Sequence, residues 1–244
     1  MRAAVLAGGL GTRLRPYTAV LPKPLVPVGE RPILEHILAW LAGAGITRVD
    51  VCIGHLGELI QTYFSQPGSI PAGLEVSWVR EREPLGTAGA LRGIPPLEET
   101  LLVVNGDILT DLDPTGAMLG FHVDQRAALT IATRATRVEI DLGVIEHDGG
   151  TVTGYLEKPV LRHDASMGIY LYEPRALSVI SELATPEIQF PDLVLALLAR
   201  GERVAAYMTD AQWHHVGTVA QHVEASRQLC EQLESGGHKG QSVM

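Results

Sequence analysis

Residues 6–16 read Leu6-Ala7-Gly8-Gly9-Leu10-Gly11-Thr12-Arg13-Leu14-Arg15-Pro16. They begin inside an apolar run, Arg2–Ala7, whose length and composition predict a short buried strand ending in glycines. Small residues let a backbone approach an anion, and consecutive N–H groups can point into one concavity. Arg13 adds a planar charged fork suited to phosphate. Further on, Pro22-Lys23-Pro24 holds one lysine between two prolines, which restrict the backbone on both sides of it. A plain structural turn competes with this reading, and so do two other nucleotide loops. A dinucleotide fingerprint needs Gly or Ala where Leu14 stands, and a long helix that Pro16, Pro22, Pro24 and Pro27 forbid. A P-loop needs the Gly-Lys-Ser/Thr that is missing here. What remains is a glycine turn, an arginine, a long irregular loop and a pinned lysine.

Outward from this loop, strand and helix signals alternate. Helical spacing over Ile33–Gly45, Leu56–Phe64, Gly86–Arg92 and Pro114–His122 interleaves with apolar runs at Val49–Ile53, Leu74–Val79, Leu101–Asn105 and Ala128–Thr133. Such alternation predicts an α/β fold: a Rossmann-like mixed, mostly parallel sheet flanked by helices. Ligands are then expected at the carboxyl ends of strands, after Ala7 and after Asn105. Beyond Arg134 the pattern changes. Asp141–Glu146 and Thr151–Glu157 flank Asp148-Gly149-Gly150, a hairpin signal that predicts a small substrate-side β insertion. A strand at Met167–Tyr172, a helix at Pro191–Ala199, a strand at Val204–Met208 and a helix at Val219–Leu233 follow. Residues 1–234 are expected to form a single domain, with 235–244 a polar, glycine-rich flexible tail.

The 244 residues are 46% hydrophobic and carry a formal net charge of -9 with no Lys/Arg block, which disfavours nucleic acid and suits a free nucleotide. Cys52 and Cys230 are distant and form no CxxC, so neither a zinc site nor a disulfide framework is expected, in keeping with a reducing compartment. No run approaches the ~20 apolar residues of a membrane span, and Arg13 and Arg15 have the wrong polarity for a signal peptide. A cytoplasmic protein without a membrane partner is the expectation.

The run Leu6-Ala7-Gly8-Gly9-x-Gly11-Thr12-Arg13-Leu14-x-Pro16, followed by Lys23-Pro24, resembles the signature of the sugar-phosphate nucleotidyltransferases. The resemblance runs from Arg2 to about Thr218. It implies that Leu6, Ala7, Gly8, Gly9, Gly11 and Thr12 wrap a triphosphate, with Arg13 and Lys23 steadying the phosphates. Glu83-Pro84-Leu85-Gly86-Thr87-Ala88-Gly89 reads by itself as a helix start. Its form is similar to that of mannose-1-phosphate guanylyltransferases and related heptose enzymes, which implies a nucleobase pocket at Leu85, Gly86, Thr87 and Ala88 and favours GTP. Asn105-Gly106-Asp107, alone a turn or a cap, matches the family's magnesium aspartate at Asp107, with Asn105 on the sugar-phosphate side. Glu157-Lys158-Pro159, alone a solvated turn, implies contacts from Glu157 to sugar hydroxyls and from Lys158 to the phosphate. Gly143 and the strand around Gly168 resemble the sugar-pocket wall, without the Asn common near Ser166 or Met167.

Trp213-His214-His215-Val216-Gly217-Thr218 departs from the family's Trp-x-Asp-(Ile/Val)-Gly-Thr: His215 stands where the second metal carboxylate belongs. Imidazole suits Mn²⁺, Co²⁺ or Zn²⁺ better than Mg²⁺. His215 thus either ligates a softer metal, or leaves Asp107 and the phosphates to hold Mg²⁺ with water, or marks a weak enzyme; the second is favoured. The resemblance implies in-line attack of a sugar 1-phosphate on the α-phosphorus of an NTP, with pyrophosphate leaving. A cyclitol, heptose or choline phosphate as acceptor, and a non-catalytic nucleotide-sugar-binding subunit, are the alternatives, with a dehydrogenase a distant third. The β-helix repeat of longer relatives is absent from the sequence, and a homodimer is left open.

Overall fold

The computed structural model describes residues 1–237. Strand β1 (Arg2–Ala7) ends at the glycine loop. The proline-spaced stretch after it folds as three 3-10 turns, Thr12–Leu14, Tyr17–Ala19 and Lys23–Leu25. A minimal ladder of β2 (Pro27–Val28) and β3 (Arg31–Pro32) follows. Helix α1 (Ile33–Gly43) buries Ile33, Leu34, Ile37, Leu38 and Leu41, the residues whose spacing predicted it. Strand β4 (Arg48–Ile53), helix α2 (Gly57–Phe64), strand β5 (Glu75–Arg80), the short helix α3 (Gly86–Gly89) and strand β6 (Leu101–Asn105) continue the alternation. The rest comprises β7 (Ile108–Thr110), α4 (Ala117–Gln125), β8 (Leu129–Glu139), β9 (Val144–Asp148), β10 (Thr151–Leu156), β11 (Val160–Tyr172), α5 (Pro174–Glu182), α6 (Phe190–Ala199), β12 (Val204–Met208), β13 (Trp213–His215) and α7 (Val219–Gly237).

Seven strands form one sheet in the order β12-β8-β11-β6-β1-β4-β5. β1 is parallel to β4 and β6, β5 to β4, and β12 to β8. Only β11 runs antiparallel to its neighbours in this sheet. Both faces are covered. Val5, Val51 and Val104 pack with α1 and α2 on one side, while Ala4, Cys52 and Val103 pack with α3, α5 and α6 on the other. The chain passes from β1 outward to β4 and β5, then returns to β6 on the other flank of β1. That reversal opens a crevice at the carboxyl end of β1.

Three features differ from the sequence expectation. β8 and β11 continue past the sheet as a two-stranded ribbon, Arg134–Glu139 against Val160–Ala165, exposed along most of its length, and β9 and β10 form a separate hairpin at its end. A ribbon solvated on both faces has no apolar alternation to read. The helix expected from Pro114 starts at Ala117, because Asp113 Oδ1 accepts the N–H groups of Thr115 and Gly116 at 3.2 and 2.9 Å and ties this stretch into a turn. α7 runs on to Gly237, through the first residues expected as a tail; residues 238–244 lie outside the described region. No helix among the described residues is long and apolar enough to cross a membrane.

Candidate active site

Gly106 N–H donates to Leu6 O at 2.9 Å, and a Cβ at Gly106 would stand only 2.7 Å from that oxygen. A residue without a side chain is thus what lets the end of β6 close on β1 and bring Asp107 beside the glycine loop. A second device fixes what faces Asp107. β13 pairs antiparallel with β7, setting His215 opposite Ile108, and Val216 N–H donates to Asp107 O at 2.8 Å. Asp107 Oδ2 then receives Lys23 Nζ at 2.5 Å and lies 3.2 Å from His215 Nε2. Burial opposes ionisation of this carboxyl, but the hydrogen bond from His215 and the charge of Lys23 outweigh it, so its pKa lies below the ordinary aspartate value. An ionised carboxylate only accepts, so the His215 proton facing it sits on Nε2. Asp107 Oδ1 is buried with no hydrogen-bond partner.

A cleft of about 940 Å³ runs along these strand ends. Its walls include the loop from Leu6 to Arg13, Lys23, Gly86, Thr87, Asn105 and Asp107. Arg13 is exposed and has no side-chain partner among the described residues, so its guanidinium is free to meet an anion. Leu85 and Ala88 stand behind the lining, as parts of the turn that presents Gly86 and Thr87. That turn is clamped by the approach to α6. Ala88 and Gly89 N–H donate to Ile188 O at 3.0 and 3.1 Å, Ile188 N–H to Leu85 O at 2.8 Å, and Phe190 N–H to Thr87 Oγ1 at 2.8 Å. Gly86 adopts φ +79°, and a Cβ there would fall 2.4 Å from Ile188 O.

Sequence reasoning missed several polar cleft residues, among them His55, Glu58, Arg80, Glu81, Arg82, Glu187 and, last in the chain, Gln189. The available signal for the last was a capping box: Gln189 accepts from the Asp192 backbone while Asp192 accepts from Gln189 N–H at 2.8 Å, just ahead of an apolar helix. On the other flank, Gly168 sits in the irregular part of β11 at φ +77° and abuts the Asn105 amide. Gly143, Glu157 and Lys158 lie in the exposed ribbon-and-hairpin arm and do not line the cleft. Lys158 Nζ donates to Asp141 at 2.6 Å, and Tyr155 OH donates to Glu157 at 3.0 Å. Lys158 is held at φ +44°, uncommon for a residue with a side chain.

A family model described as nucleotidyl transferase matches residues 2–232. Among curated proteins, the UTP–glucose-1-phosphate uridylyltransferase of Synechocystis is 30% identical over 93% of this chain and 63% of its own length. The mannose-1-phosphate guanylyltransferase of Mycobacterium tuberculosis is 30% identical over 99% of this chain and 69% of its own length. The chain therefore spans about two thirds of these relatives. Among solved structures, HddC from Yersinia pseudotuberculosis superposes with a TM-score of 0.72 at 22% identity, covering 93% of this chain and 99% of that one, and so shares the fold. With a match over nearly its full length, and a glycine loop, lysine and aspartate gathered at one cleft, the chain belongs to the nucleotidyl transferase family.

Proposed function

We propose that the protein transfers a nucleoside monophosphate from an NTP, GTP being favoured, to a sugar 1-phosphate, mannose 1-phosphate or a similar hexose or heptose phosphate, releasing pyrophosphate. The observation that carries this is the gathering of Arg13 and of the Lys23–Asp107 ion pair around one cleft walled by the glycine loop. Two anions must meet for the reaction, and their Coulomb repulsion is the main obstacle. Arg13 and Lys23 offset that repulsion from the triphosphate side, and the glycine loop holds the phosphates through its N–H groups. The acceptor enters from the Asn105 and Gly168 flank, and Glu157 and Lys158 reach it from the arm. No protein nucleophile is needed; catalysis is positioning plus charge stabilisation.

The residues suit a divalent cation of the Mg²⁺ type. Asp107 Oδ1 is a buried oxygen without a partner, and Mg²⁺ typically takes one or two carboxylates together with phosphate and water. Among the described residues no group of three or more His, Cys, Asp and Glu side chains is placed to hold a metal. His215 Nε2 is already committed to Asp107, so His215 supports the carboxylate rather than adding a donor of its own. Bound there, the cation would neutralise phosphate charge; Mn²⁺ or another divalent ion would serve the same donor.

The test is pyrophosphate release across a panel of GTP, UTP, dTTP and ATP against mannose, glucose and heptose 1-phosphates, with Mg²⁺ and with Mn²⁺. Release that requires both substrates supports the proposal. No release with any pair defeats it and favours the non-catalytic binding role to which the His215 departure points. The uridylyltransferase relative makes UTP with glucose 1-phosphate the rival pair.

A further inference from the structure

The ribbon that leaves the sheet carries two cations set against each other. The register of β8 on β11 places Arg137 directly opposite Arg162, with Thr133 opposite Ser166 four residues back along both strands. Directly opposed side chains share a face, with Cβ atoms about 5 Å apart, and like charges there destabilise the pairing. Both arginines are exposed. Counter-ions are plentiful in a chain with 28 Asp and Glu against 19 Lys and Arg. Yet among the described residues neither guanidinium has an ion pair or a side-chain hydrogen bond, not even with Glu139 and Asp164, their diagonal neighbours on the same face. The other cations of the arm are engaged: Arg134 lies over the Trp213 ring, 5.5 Å from its centroid, and Lys158 is paired with Asp141.

The two-residue period of a strand fixes which way the pair faces. Arg137 shares a side with Ala135, Thr133 and Ile131, and Arg162 with Ser166. Ile131 and Tyr170 pack in the layer with α3, α5 and α6, and Ser166 Oγ donates to Tyr170 OH at 3.4 Å. Two residues past Ser166, Gly168 abuts the Asn105 amide. The pair therefore continues the face that begins at the acceptor end of the cleft, about 13 Å beyond Ser166 at about 3.3 Å per residue. An acceptor with its 1-phosphate at Asp107 and its ring along Asn105 and Gly168 directs its far end toward that face. Two guanidinium forks present planar sets of donors that match phosphate oxygens. A phosphate monoester carries nearly two negative charges at neutral pH and so neutralises both arginines, whereas a carboxylate cancels only one.

We propose that Arg137 and Arg162 bind a second phosphate of the acceptor, on the carbon farthest from C1, so that the protein prefers a hexose or heptose bisphosphate to the 1-phosphate alone. The proposal rests on the nucleotidyl-transfer function given above. The experiment takes mannose and glucose, each as the 1-phosphate and as the 1,6-bisphosphate. It compares kcat/KM by pyrophosphate release, and calorimetric affinity with a non-hydrolysable GTP analogue present, in the wild type and in two double variants, Arg137→Gln/Arg162→Gln and Arg137→Lys/Arg162→Lys. The wild type is expected to favour the bisphosphate by about tenfold or more in both measurements. The Gln variant should bring the ratio close to one, and the Lys variant, which keeps the charge without the fork, should hold only part of it. A ratio near one in the wild type overturns the proposal, as does a preference that survives in the Gln variant. If inorganic phosphate raises the use of a 1-phosphate to that of its bisphosphate, the pair takes a free ion and the acceptor assignment is overturned. Lack of pyrophosphate release from every pair would defeat the transfer reaction instead, and the affinity ratios would still decide the role of the two arginines.

Discussion

Asp107 is ionised because of two donors that lie 84 and 108 residues away in sequence. Lys23→Ala or Asp107→Ala is expected to cut turnover by at least about a hundredfold with the fold intact, checked by steady-state pyrophosphate release beside thermal melts. The depressed Asp107 pKa has a second consequence. A carboxyl whose folded pKa lies below its unfolded value, about 3.9, stabilises the fold above that pH and loses the contribution as pH falls through the folded value. In the absence of ligands, Asp107→Asn should therefore flatten the acid limb of a Tm-against-pH curve; a limb as steep as that of the wild type would show that the ion pair does not stabilise the fold. Arg13, Lys23 and Asp107 were legible in the sequence because each belongs to a local pattern with a physical purpose. Glu81 and Gln189 were not: each is a single polar residue at the edge of an element, Glu81 brought to the cleft by the place of β5 in the sheet and Gln189 by the clamp of the α6 approach on residues 85–89.

At the scale of elements, the turn that presents Gly86 and Thr87 depends on a residue remote from the phosphates. The Arg92 guanidinium donates to the carbonyls of Leu183, Thr185 and Pro186 at 2.8, 3.0 and 2.9 Å and to that of Ile180 at 3.1 Å, collecting the chain between α5 and α6. That segment in turn holds residues 85–89 through Ile188. Arg92→Ala is expected to cost about 2–3 kcal/mol of stability by chemical denaturation and to raise the NTP KM more than it lowers kcat. Arg92→Lys, a point donor without the fork, should restore little of either. The buried strands and α1 were readable from apolar runs and helical spacing. β7 and β13, at three residues each, were too short to carry a period, yet they set His215 against Asp107. α5, with Pro174 at its start, was overlooked although it buries Ala176, Val179 and Ile180.

In the molecule as a whole, the arm stands apart from the packed layers. The stretch from Val138 to Leu161 contains eight exposed large hydrophobic residues, among them Leu142 at 73% and Tyr155 at 60% exposure, and belongs to neither core cluster. Replacing residues 140–159 by a short turn should leave cooperative unfolding and NTP affinity unchanged while raising the KM for the sugar phosphate. A loss of folding would show that the arm is structural, and an unchanged KM would remove Glu157 and Lys158 from the acceptor site. The placement of β1 between two flanks has a wider consequence. Apart from Asp107, which holds the cation, the residues proposed for the donor nucleotide are encoded before residue 100 and those proposed for the acceptor after it. A lineage could therefore exchange one co-substrate for another by recombining at the loop before Leu101, keeping its activated phosphate chemistry while changing the molecule it labels.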